Sequence, residues 1–197
     1  MFQRNEIDDA RDIQALAAHF ANRSILVVGP GGSIVAHEKR IQNYIKEAQP
    51  LVVSVNFVPD RIRVDWLFVS NRKRFSSLHA LMPSLACKVI ATSNLGEQED
   101  RAIYHVNYAD YLYDGQEGDN AAAMLMRLLI RLGASKITYA GLDGFSVEKR
   151  YNYCDAGLES GEQQRRLDEK NAYIRTQLQE IRKRIPLVAL TPSKYEE

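Results

Sequence analysis

Ser24-Ile25-Leu26-Val27-Val28 runs directly into Gly29-Pro30-Gly31-Gly32-Ser33, and the reading of this stretch decides the fold. The first half is an apolar run too short for a helix and closed by glycine, which reads as a strand buried on both faces. The second half is a turn that opens a helix, predicted from Ile34 to Ala48 with Ile34, Ile41, Tyr44 and Ile45 along one face. Glycines there let the chain turn sharply and let a ligand approach without a Cβ in the way. The helix amino terminus beyond offers free N–H groups and a partial positive charge, which suits phosphate or carboxylate. The alternative is a tight strand-to-helix turn with no ligand.

Working outward, the same alternation continues. Segment 1–22 carries a leading helix, with Asp8 or Asp9 as cap and Ile13, Leu16, Ala17 and Phe20 at helical spacing. Strands are predicted at Leu51–Phe57, Trp66–Val69, Lys88–Thr92, Ala102–Val106, Lys136–Ala140 and Leu187–Leu190. Helices fall between them at Arg74–Leu85, which Pro83 must end or bend, and at Asn120–Leu132, capped by Asp119 or Asn120 and stopped by Gly133. A long helix over 161–185 carries an apolar stripe, Leu167, Ile174, Ile181 interleaved with Asn171, Leu178, Ile185. Packing on the sheet explains that stripe better than a coiled coil, because it is short and holds an asparagine. The whole is read as one α/β domain over 1–197, Rossmann-like, with a mostly parallel sheet and helices on both faces. Ligands bind such sheets beyond the carboxyl ends of the strands.

Composition narrows the function classes. Basic and acidic residues number 26 and 25, so no electrostatic footprint for nucleic acid or an anionic membrane follows. The opening Met1–Glu6 lacks an apolar h-region, and no apolar run reaches the length of a membrane span. Cys87 and Cys154 form no CxxC pair, and Cys87 is read as buried in a strand. A cytoplasmic protein with reduced thiols is expected. His19, His37, His79 and His105 stand singly, without paired ligand spacing, so no metal site is expected. No Gly-x-Ser-x-Gly elbow is present to support a hydrolase triad.

The glycine loop departs from the dinucleotide fingerprint, because Ile34 stands where a third glycine or alanine belongs. Asn56 closes the second strand where a nicotinamide enzyme places an acidic ribose ligand. The other strand ends are polar too: Ser70-Asn71-Arg72, Thr92-Ser93-Asn94, Gly118-Asp119-Asn120 and Gly141-Leu142-Asp143-Gly144-Phe145. Amides and hydroxyls bind sugar hydroxyls or base edges, and Phe145, Tyr151 or Tyr153 can stack on a base. Singly, each is explained by a cap or a turn; five such sets at one edge of a sheet are harder to explain that way. Arg61, Arg63, Arg72, Lys73 and Arg74 form a basic cluster, read as a solvated surface with the option of holding a phosphate.

Two resemblances rest on these residues. Ile25–Ser33 (ILVVGPGGS), Val53–Phe57 (VSVNF), Val64–Arg74 (VDWLFVSNRKR) and Ala140–Ser146 (AGLDGFS) resemble the domain C-terminal to HMG-CoA-lyase-like aldolases of the 4-hydroxy-2-oxovalerate type. Such proteins tend to occur in polysaccharide gene clusters. The aldolase barrel would then be a partner domain, and lyase chemistry would not reside in this chain. More distantly, the chain is similar to bacterial CMP-sialic-acid sialyltransferases and motility-associated glycosyltransferases. That likeness implies a pyrimidine nucleotide or CMP-sugar as ligand. Gly29, Gly31, Gly32 and Ser33 would form the nucleotide loop, the last three facing phosphate and sugar. Asn56, Asn71 and Asn120 would bind ribose, base or donor sugar. Asp143 and Phe145 would line the pocket, and Tyr151 or Tyr153 would touch the phosphate. These transferases use a late histidine as general base, and this sequence has none after His105.

Three functions therefore stand open. One is an accessory nucleotide- or nucleotide-sugar-binding domain linked to surface-polysaccharide biosynthesis. Another is an active glycosyltransferase with an unusual base, Asp143 or Glu148, though no catalytic residue can be assigned. The third is a structural domain, or a homo-oligomer built on the last helix.

Overall fold

A computed structural model describes residues 6–79, 85–95, 103–113, 120–146, 153–154 and 164–196. Among them, seven strands form one all-parallel sheet in the order β5-β4-β3-β2-β1-β6-β7. The strands are β1 (Ser24–Val28), β2 (Leu51–Val55), β3 (Trp66–Val69), β4 (Lys88–Thr92), β5 (Ile103–Val106), β6 (Lys136–Ala140) and β7 (Leu187–Ala189). This is the expected α/β, Rossmann-like architecture. The helices are α1 (Ala10–Phe20), α2 (Ser33–Ala36), α3 (Glu38–Ala48), α4 (Arg72–His79), α5 (Ala121–Arg131) and α6 (Gln164–Arg182).

β1 is central, pairing with β2 from Ile25↔Leu51 to Val28↔Ser54 and with β6 from Ser24↔Lys136 to Val28↔Ala140. Its residues from Ile25 to Val28 are fully buried, as a strand covered on both faces requires. Alternation sends Ile25 and Val27 into a core with α1, α5 and α6, and Leu26 and Val28 into one with α2 and α3. A third cluster, Leu67, Val69, Phe75, Val89 and Ala91, continues that second face under α4. The α6 stripe is wholly buried, Asn171 included.

Several boundaries differ from expectation. The helix predicted over Ile34–Ala48 is two helices, broken at His37 (φ −114°, ψ 24°). The short α2 is tied to Asp143 by Ser33, whereas Ile41 of α3 packs on the sheet, and the chain kinks between these anchors. β2 stops at Val55 because Asn56 turns left-handed (φ 60°), a conformation asparagine tolerates better than most residues. α4 starts earlier than predicted, at Arg72, with Asn71 accepting the Arg74 N–H at 3.1 Å; at its predicted end Leu85 is not helical, and Pro83 lies outside the described residues. Within segments 1–22 and 161–185 the helices are the narrower Ala10–Phe20 and Gln164–Arg182. Cys87 is half-buried just before β4 rather than buried within it, and burial pushes its thiol pKa up.

Asp9 does not cap α1 with its side chain. Its carboxylate accepts the Asn107 N–H at 2.9 Å, and that of Asp12 accepts the His105 N–H at 2.7 Å. The His105 N–H is an outward group of the edge strand β5 and the Asn107 N–H follows the strand directly, and Asn107 extends the cover by exchanging two 2.9 Å bonds with the Ile7 backbone. The leading segment thus blunts a sheet edge that would otherwise template pairing with another chain.

Candidate functional site

The strand order reverses at β1 and β6. From β1 the chain moves through α2 and α3 to β2; from β6 it moves through α6 to β7 on the other side. The loops leaving these strands diverge, and a crevice opens at their carboxyl ends. The loops remain bonded beyond the strands, with Gly29 N–H to Ala140 O and Gly31 N–H to Gly141 O, both 2.8 Å. This close approach is what requires glycine at position 31. A Cβ there would stand 2.6 Å from both Asp143 Oδ1 and Gly141 O.

Asp143 closes the next layer. Its Oδ2 accepts the Ser33 N–H at 2.7 Å and its Oδ1 accepts the Ser33 hydroxyl at 2.5 Å. Ser33 Oγ also lies 2.9 Å from Thr191 Oγ1, which accepts the Gly141 N–H at 3.0 Å. The carboxylate therefore fills the place at the start of α2 where the sequence reading puts a ligand phosphate. Burial holds the Asp143 carboxyl above the usual carboxylate range, outweighing the Ser33 bonds and the charge of His37.

A cleft of about 210 Å³ opens in front of this layer. Of the residues expected from the sequence, Gly31, Asn56, Asn71, Asn120, Asp143, Phe145 and Tyr153 line it together. Gly29, Gly32 and Ser33 do not; Gly29 and Ser33 belong to the bonded layer behind it. Tyr151 and Glu148 lie outside the described residues. The three asparagines also serve the backbone. Asn56 Oδ1 accepts the Ser70 N–H at 3.0 Å, and Asn120 caps α5 by accepting the Ala122 and Ala123 N–H groups. Asn71 caps α4 in the same manner. Each carboxamide is thereby fixed in direction at the cleft wall, and two helix amino termini meet there.

Phe145 is set by α6. The buried Asn171 accepts the Phe145 N–H at 2.8 Å and donates to the Phe145 carbonyl at 2.9 Å, as a neighbouring strand would. The Phe145 ring stands edge-on to Tyr153, centroids 6.4 Å apart, with the Lys170 ammonium 5.4 Å from its centre. The C-terminal segment straps the same loop: Ser193 donates to Leu142 O at 2.5 Å, and the Lys194 N–H to Asp143 O at 3.0 Å.

Tyr195 and Arg74 line the cleft as well. Tyr195, almost fully buried, sits in a polar tail that carries no local sign of a site. Arg74 belongs to the basic cluster, and of that cluster it alone lines this cleft. Beside the cleft lies a second one of about 490 Å³, lined mainly by apolar side chains and sharing Asn56 and Arg74 with the first. No helix among the described residues is long and apolar enough to cross a membrane. Compared with known proteins, the sequence matches no family profile and no curated protein.

Proposed function

We propose that this chain is a nucleotide- or nucleotide-sugar-binding domain whose ligand lies in the cleft at the β1/β6 reversal. The observation that carries the reading is the convergence there of three backbone-fixed asparagines, the Phe145–Tyr153 aromatic pair and one arginine. Aromatic faces bind a base by stacking, and carboxamides bind ribose hydroxyls. Arg74 and the capped starts of α4 and α5 supply positive potential for a phosphate. In this reading the phosphate lies toward Arg74, because Asp143 already holds the start of α2. A cleft of about 210 Å³ is too small to enclose a dinucleotide, and a mononucleotide would stand partly outside it; the pyrimidine is what the sequence resemblance suggests.

Binding rather than turnover is favoured by the state of Asp143. Its two oxygens are engaged by Ser33, which leaves it poorly placed to take a proton from an acceptor hydroxyl. An accessory role beside an aldolase-type barrel in surface-polysaccharide biosynthesis is the setting that the sequence resemblance suggests. Calorimetric titration with CMP, UMP, AMP and inorganic phosphate tests the reading. CMP or UMP should bind, and Phe145→Ala should weaken them by about 1–3 kcal/mol, the worth of one base–aromatic stack. The same affinity for phosphate alone as for CMP would remove the base from the account.

A further inference from the structure

We propose that the larger cleft is a second binding site, for a soluble small molecule with an apolar body and one acidic group, and that this group lies at Arg74, where the two clefts meet. The second cleft's volume of about 490 Å³ falls within the range of about 300–1,000 Å³ usual for small-molecule sites, and the first falls below it. Its walls come from three elements: Ile34 and Val35 of α2, Phe57, Val58 and Ile62 of the segment after β2, and Leu78 of α4. Val35 is 65% exposed, the most of any large apolar side chain among the described residues. Such a side chain at the mouth of an apolar cleft gains by being covered.

Charge places the acidic end. Glu38 and Asp60 stand at the rim, but Glu38 is paired with Arg61 at 3.3 Å and Asp60 is exposed to solvent. Arg74 stands where both clefts share a wall. It belongs to the first turn of α4, which carries Arg72, Lys73 and Arg74 and no acidic residue. Cations at a helix amino terminus oppose its dipole, and an anion relieves the opposition. The apolar body then lies along Val35, Phe57, Val58 and Leu78.

Titration of the full chain with octyl phosphate tests the site, with inorganic phosphate and octanol as partial probes. Octyl phosphate should bind with a stoichiometry of one and at least tenfold more tightly than either fragment. Arg74→Ala should weaken it at least tenfold. Val35→Asp, at an exposed position that leaves the fold untouched, should weaken it about fivefold with no change in melting temperature. Affinity equal to that of inorganic phosphate, several molecules bound per chain, or indifference to both substitutions would overturn the proposal. CMP should compete with octyl phosphate, a part that rests on the nucleotide reading. Octyl phosphate binding without any CMP binding would sink that reading and leave this one standing. CMP binding without octyl phosphate binding would do the reverse.

Discussion

Asn171→Leu completes the apolar stripe of α6 and is nonetheless expected to weaken the protein. The stripe runs through Leu167, Ile174, Leu178 and Ile181, all buried, and Asn171 interrupts it at 7% exposure. By area alone, a buried leucine contributes up to about 1.5–3 kcal/mol. Against this stand the N–H and carbonyl of Phe145, bonded to the Asn171 carboxamide at 2.8 and 2.9 Å. Left without partners in a partly buried loop, each costs about 1–3 kcal/mol. The polar loss exceeds the apolar gain, because leucine would meet the Phe145 backbone rather than a hydrocarbon wall. A net loss of about 1–3 kcal/mol lowers the melting temperature by roughly 2–12 °C in a chain of this size. Thermal unfolding by circular dichroism measures it directly. A variant that melts at or above the native temperature would refute the reasoning, and with it the claim that α6 positions the Phe145 ring. If the variant folds, its affinity for CMP should fall as well, since the ring would lose its fixed orientation.

Other predictions follow from the packed layer behind the cleft. Gly31→Ala should destabilise the protein by about 1–3 kcal/mol, as overpacking does, because the new Cβ would meet Asp143 and the Gly141 carbonyl at 2.6 Å; an unchanged unfolding midpoint in urea would show that the two loops can separate freely. Asp143→Asn should remove one downward contribution from the stability curve on its acid side. The raised pKa means the folded chain keeps a proton that the unfolded chain loses between the ordinary value, about 3.9, and the raised one, so stability falls as pH rises through that window. Native and variant proteins with parallel stability curves there would contradict the assignment.

The sheet was legible because its strands are buried on both faces. SILVV is an almost continuous apolar run and KITYA a β-branched and aromatic one, both closed by glycine, and such runs have few other readings. The location of the candidate cleft was legible for a related reason: the strand ends fall at one sheet edge, and Asn56, Asn71 and Asp143, which follow β2, β3 and β6, line the cleft there with Asn120, whereas Thr92-Ser93-Asn94 does not. The roles of individual residues were not legible. Ser33 reads as part of a phosphate loop, yet its partner is a carboxylate 110 positions away. Asp9 reads as a helix cap, yet it serves an edge strand 98 positions away. Asn171 reads as a flaw in a stripe, and Tyr195 as a tail residue. In each case a side chain of ordinary local type takes its place from residues distant in sequence, and local periodicity carries no signal for that. The break at His37 has the same origin, since α2 and α3 are held by different partners.

The central claim is that a pyrimidine nucleotide occupies the cleft where the strand order reverses between β1 and β6. Amide chemical-shift mapping on the isotope-labelled chain during titration with CMP addresses it most directly. The account predicts saturable shifts at Gly31, Asn56, Asn71, Asn120 and Phe145, with Ser33 little affected because its N–H stays on Asp143. Shifts centred on Ser33 would return the phosphate to the glycine loop. Shifts confined to another face, or none at millimolar CMP, would contradict the account.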